Sequence, residues 1–321
     1  ECTRGASRRV RWWLQLRVHA WLRGRAFELG DVTPHYLGQI EVSHCPITRR
    51  PLVQAETSVD RVNDHAGYAA GNLATMSLQA NRAKGALGWR AAWQRAQQAE
   101  AGPVDGLDAA AWTRLAVLIS FVMPLPQAEA ACLPLRVLPP NRLRLLNPVQ
   151  GLQALVTREL ARPDGTQRLR ALAALLGDEA LRADFHRWLS AMLPRRLAAG
   201  QGADARQLRD ALEDAWADTR VNRCWQRFAL QLDEDAVQSL LQRCADGVLD
   251  RTPGVAAGGP RWMLHEKATA TEGWALERGG WAMAPGQALH GGVPRTGLAG
   301  VREQAKIGTS RTRTADGHLP A

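Results

Sequence analysis

From residue 107 to 250 the sequence reads as one amphipathic segment after another, and this constrains the fold more than any other feature. Apolar residues recurring at three- and four-residue intervals predict helices over 108–122, 148–162, 166–176, 178–193, 204–231 and 233–247. Asp178–Glu179 and Asp233–Glu234–Asp235 stand at helix starts, where carboxylates complement the positive end of the helix dipole. A proline-rich connector, 133–148, separates the first helix from the rest. His186, Trp188, Trp216 and Trp225 fall on these helices, and core packing is their expected role. No motif in this region carries chemistry, so the fold class is set as mainly α while the function is not.

The rest of the chain divides by composition. GPVDG at 102–106 marks a linker. Residues 1–29 read as a basic amphipathic helix, with Val10, Trp13, Leu14, Arg17, Trp21 and Leu22 near helical spacing. Its tryptophans are expected to pack on the following domain; the sharper alternative is phosphate contact by Arg8, Arg9, Arg11 and Arg17. Residues 30–57 lack a helical period and predict turns with one or two short strands. Residues 251–321 hold 13 glycines and 5 prolines with no sustained apolar face, the composition of a disordered tail. The expected organisation is therefore a helix at 1–29, a small α+β module within 30–100, a helical domain at 101–250 and the tail.

Net charge is +10 over 321 residues, but only three of the 41 basic side chains are lysines, so arginine codon usage contributes to it. Position is more telling: residues 1–100 carry 14 basic and 8 acidic side chains, whereas 101–250 carry 18 of each. Five cysteines without a C-x-x-C pair support neither a disulfide scaffold nor a four-cysteine zinc site, and point to a reducing cytoplasm. The longest apolar run, 115–123, is too short to cross a bilayer, so no membrane partner is expected. The first residue is Glu1, as in a fragment or processed chain, with no secretory pattern beside it.

The chemistry is concentrated in 44–85. Ser58–Val59–Asp60–Arg61–Val62 reads as a short strand ending in a carboxylate, 63–72 as a glycine-punctuated loop, and 73–85 as a helix closed by Gly85. In that geometry Asp60 and Asn81 face each other across the turn. One carboxylate and one amide carbonyl, completed by water and phosphate, suit Mg²⁺ or another divalent ion such as Mn²⁺.

These residues resemble the HNH, or ββα-metal, endonuclease family, particularly its phage-type and endonuclease-VII-like members. The match lies in Cys45-Pro-Ile-Thr48, Ser58-Val-Asp60-Arg61-Val62-Asn63, Gly67-Tyr68, Gly71-Asn72-Leu73 and Asn81-Arg-Ala-Lys84. Eight residues separate Asn72 from Asn81, the interval such modules place between their middle Asn and last metal ligand. The resemblance covers roughly residues 40–86. It implies a metal held by Asp60 and Asn81, a loop pinned by Asn72, and phosphate contacts from Arg61, Arg82 and Lys84. It further implies hydrolysis of phosphodiester bonds, with DNA the expected partner.

The family's Asp-His pair is Asp60-Arg61 here, and an arginine cannot accept a proton at neutral pH. His65 and His44 are the nearest candidate bases; a rival register takes Asp64-His65 as the pair. Three functions follow: a metal-dependent nuclease with an atypical or missing base, a nucleic-acid-binding protein with a degenerate module, and a helical partner-binding protein. For Cys45, a buried structural role is expected, since a zinc role lacks partners.

Overall fold

In the computed structural model residues 5–200, 202–246, 249 and 263–264 are described. Ser7 opens α1 (Arg8–Leu22), its side chain accepting from Val10 N–H. Trp12, Leu16 and Ala20, four residues apart, turn one face of α1 onto Val32, Tyr36, Leu37 and Ile40. Trp13 donates from Nε1 to the Val32 carbonyl at 2.6 Å. Trp12 and Trp13 thus pack as expected, but Trp21 remains 79% exposed.

The stretch expected to hold only turns and strands contains a helix, α2 (Pro34–Ile40). Thr33 caps it through Tyr36 N–H, and Pro34 takes the first-turn position where a missing N–H costs nothing. After a 3₁₀ turn, Gln54–Glu56, the chain enters β1 (Thr57–Arg61). This strand pairs antiparallel with β2 (Leu73–Ser77), Asp60 opposite Ala74 and Ser58 opposite Met76. The helix expected over 73–85 therefore starts only at α3 (Leu78–Lys84), where the Ser77 hydroxyl accepts from Ala80 N–H. Leu, Ala and Met favour a helix locally, but the ladder with β1 and burial of 73–76 outweigh that preference.

α4 (Trp89–Gln98) and α5 (Ala109–Phe121) pack together, joined by a turn in which Val104 and Leu107 exchange backbone hydrogen bonds. There follow α6 (Gln127–Cys132), β3 (Arg144–Leu145), α7 (Pro148–Leu160), α8 (Gly165–Ala174) and α9 (Glu179–Ala198). The last helices are α10 (Ala205–Ala215), α11 (Thr219–Ala229) and α12 (Glu234–Ala245), and β3 pairs in parallel with β4 (Met263–Leu264). The single helix expected over 204–231 is two, because Asp218 accepts from Arg220 and Val221 N–H and starts a new one. The protein is mainly α, with one small antiparallel sheet within the module.

Phe185, Trp188, Trp216, Trp225 and Phe228 form the aromatic centre of the helical region, with ring centroids 5.2–5.8 Å apart. The same buried cluster continues into Cys45, Ile47, Val62, Ala74 and Met76, so the hairpin shares its core with the helices. No helix of the described residues is long and apolar enough to cross a membrane. Apart from β4, the expected tail at 251–321 lies outside the described residues.

Candidate functional site

Strand alternation puts Ser58 and Asp60 on one face of β1, and helical spacing puts Asn81 and Lys84 on one face of α3. The two faces meet rung by rung. Asn81 Nδ2 donates to Ser58 Oγ at 2.7 Å. Lys84 Nζ donates to Asp60 Oδ1 at 3.3 Å, to the Arg61 carbonyl at 2.8 Å and to the Gly85 carbonyl at 3.3 Å. Asp60 Oδ2 lies 3.0 Å from the same ammonium as an ion pair, without hydrogen-bond alignment. Lys84 is fully buried and Asp60 nearly so. Burial pushes the Asp60 carboxyl up to about 6, with Lys84 the main influence holding it down.

The loop between the strands is held from within by Asn72. Its Oδ1 accepts from Asn63 N–H at 2.8 Å, while Nδ2 donates to the carbonyls of Asn63 (3.0 Å) and Gly67 (2.9 Å). The two glycines of the loop have separate reasons. Gly71 takes φ 88°, in the region that favours glycine, and a Cβ on Gly67 would meet the Ala26 carbonyl at 2.6 Å.

Arg61 belongs to this loop and not to a phosphate surface. Its guanidinium donates to the carbonyls of Asp64 (3.1 Å) and Ala66 (3.0 Å), meets the Asp64 carboxylate at 2.5 Å, and stands 5.2 Å from the Tyr68 ring centroid. Arg25 approaches the other Asp64 oxygen at 3.6 Å. The rival pairing Asp64-His65 therefore has its carboxylate committed to two arginines. The His65 side chain is on the exposed part of the loop, and only its backbone N–H is fixed, by Asn63 Oδ1 at 3.0 Å. His44 lies in the Cys45 turn, its Nδ1 3.0 Å from Ser43 Oγ. Neither histidine bonds Asp60 or Asn81 among the described residues.

Cys45 joins its turn to the start of α3. Its sulfur accepts N–H groups from Thr48 (3.4 Å) and Ser77 (3.3 Å) and donates to Ser77 Oγ (3.4 Å). Burial raises its thiol pKa, but the hydrogen bonds from Ser77 and Thr48 outweigh that and bring it below the ordinary value. Arg49, at φ 59° in the same turn, reaches Glu213 at 3.2 Å and Asp214 at 2.6 Å on α10. Nothing in the sequence signals this link, whose partners lie more than 160 positions away.

The residues present do not fit a resident divalent ion. Both Asp60 oxygens face the Lys84 ammonium, which supplies the positive charge a metal would bring. Asn81 donates from Nδ2 to Ser58, which leaves its amide oxygen as a single neutral ligand, and no three His, Cys, Asp or Glu side chains among the described residues form a metal-holding group. Lys84, expected on a phosphate, is inside the module, as is Arg61. Of the three phosphate contacts expected in the module, Arg61, Arg82 and Lys84, Arg82 is the exposed one, lining a cleft beside Arg50, Thr48 and Gln79.

Compared with known proteins, the chain matches no family model, no curated protein and no solved structure.

Proposed function

We propose that this chain binds nucleic acid, and that its ββα module serves as a scaffold whose hydrolytic positions have been turned to structural use. The observation that carries binding is the outward face of α1. Arg11 and Arg17 are exposed there, Trp21 is 79% exposed, Arg23 is exposed just beyond the helix, and no carboxylate occurs from residue 5 to 27. Exposed guanidinium groups on the same helix as one open indole suit single-stranded nucleic acid, phosphates meeting the charges and a base stacking on the ring. The cleft at α3 is charge-balanced, with Arg50 and Arg82 alongside Glu56 and Asp105, and adds no net positive charge.

Against hydrolysis stand three features of the module. Asp60 is ion-paired, Arg61 has no proton-accepting capacity, and neither candidate histidine bonds the carboxylate. DNA is the substrate class that the family resemblance suggests, and the reading makes it a ligand.

Fluorescence anisotropy of a labelled single-stranded oligonucleotide, titrated with the protein at several salt concentrations, tests the binding. The log of the association constant is expected to fall linearly with the log of salt concentration. Absence of binding at about 50 mM salt overturns the proposal.

A further inference from the structure

A cavity of about 310 Å³ lies where the Cys45 turn, residues 137–141 and α10 meet. Its wall holds four arginines, Arg49, Arg158, Arg206 and Arg209, together with His44. The carboxylates in the same wall are already engaged. Glu41 is paired with Arg8 (2.9 Å) and Arg9 (3.4 Å) on α1. Glu213 accepts from Leu138 N–H at 3.0 Å and from Arg49, and Asp210 lies 3.7 Å from Arg49 Nε.

The donors are less well supplied. Arg206 spends one N–H on the Arg49 carbonyl at 3.4 Å, and Arg209 stands 3.9 Å from Glu213. The buried Nε–H of Arg49, 3.7 Å from Asp210, makes no hydrogen bond. Buried donors without acceptors are costly, and an anion with several oxygens would satisfy them. A second hollow, lined by Arg8 and Arg9 at the start of α1, shares Glu41, Val42 and Ser43 with this wall.

We infer that this cavity is a phosphate-binding site in which Arg206, Arg209 and His44 are the donors, and that it takes a backbone phosphate of the bound nucleic acid. The inference rests on the proposed nucleic-acid function and extends the interface to α10, in a region where the sequence shows no chemistry. Residues 41–43 line both this cavity and the hollow at the start of α1. Lysine in place of Arg206 and Arg209 keeps the charge but loses the planar fork that grips two phosphate oxygens.

The test compares wild type with Arg206→Ala/Arg209→Ala and Arg206→Lys/Arg209→Lys by anisotropy, using the same labelled oligonucleotide, with pyrophosphate and poly-glutamate as competitors. Circular dichroism and thermal unfolding confirm that each variant is folded. The alanine pair is expected to weaken binding about tenfold and to reduce the salt slope by about 1 to 2, with the lysine pair between it and wild type. Pyrophosphate is expected to displace the oligonucleotide from wild type more effectively than from the alanine pair. Equal affinity and slope in wild type and the alanine pair overturn this inference while leaving nucleic-acid binding intact. No binding by wild type overturns both. Displacement by poly-glutamate but not by pyrophosphate assigns the cavity to an acidic protein segment and overturns it as well.

Discussion

The Lys84 ammonium, fully buried, sits 3.0 Å from Asp60 Oδ2 and 3.3 Å from Oδ1, and its remaining hydrogen bonds go to the carbonyls of Arg61 and Gly85. A buried ion pair does little for net stability, but removing one partner leaves an uncompensated charge in the interior. Lys84→Met should therefore cost about 3–5 kcal/mol in urea unfolding at neutral pH, and Asp60→Asn/Lys84→Met much less. Equal losses in the single and double variants would show that the pair is not coupled.

The same carboxyl sets a pH dependence. Asp60 titrates at about 6 in the folded chain, against an ordinary 3.8, chiefly through burial. Between those values the folded state holds a proton that the unfolded state has released, so this group's contribution to stability falls as pH rises and reaches its full cost above about pH 6. Relative to wild type, Asp60→Asn/Lys84→Met should gain on the order of 2 kcal/mol between about pH 4 and pH 7. Urea midpoints at the two pH values measure this, and a pH-independent difference would refute it.

Asn72→Ala removes three buried hydrogen bonds at once and leaves the Asn63 N–H without its acceptor. A loss of about 3 kcal/mol is expected in denaturant unfolding. A change below about 0.5 kcal/mol would mean that the loop holds its shape without Asn72.

Cys45→Ala should be worse than Cys45→Ser. Alanine leaves the N–H groups of Thr48 and Ser77 with no acceptor, at about 1–3 kcal/mol, while a serine oxygen still offers one. The order of the two denaturation midpoints decides the point.

Trp21→Ala should leave stability within about 0.5 kcal/mol, because the ring is exposed. If one base stacks on it, oligonucleotide affinity falls by about 1–3 kcal/mol. Unchanged affinity would remove Trp21 from the interface.

Much of the helical region was legible because its starts are written locally. Asp108, Asp178, Asp204 and Asp233 each precede an apolar-periodic run, and each caps a helix. Thr33-Pro34 carried the same kind of signal for α2 but was obscured by the weak periodicity of so short a helix. β2 was hidden because Leu73–Met76 has helix-forming residues and becomes a strand only through its partner. The positions of Asp60, Asn72, Asn81 and Lys84 were readable from spacing, and so was the loop-pinning by Asn72 from the resemblance, whereas the bonds of Asp60, Asn81 and Lys84 were not. A lysine one turn beyond Asn81 reads as a phosphate contact, and only the packing of α3 on β1 turns it inward. The Arg49–Glu213 contact depends on tertiary approach alone and leaves no trace in local sequence.

The most direct test of the account is incubation of supercoiled plasmid with wild type and Asp60→Ala, in the presence and absence of Mg²⁺ or Mn²⁺. Wild type is expected to leave the plasmid supercoiled at every metal concentration. Metal-dependent nicking by wild type that is lost in Asp60→Ala would contradict the account and restore Asp60 to a hydrolytic site.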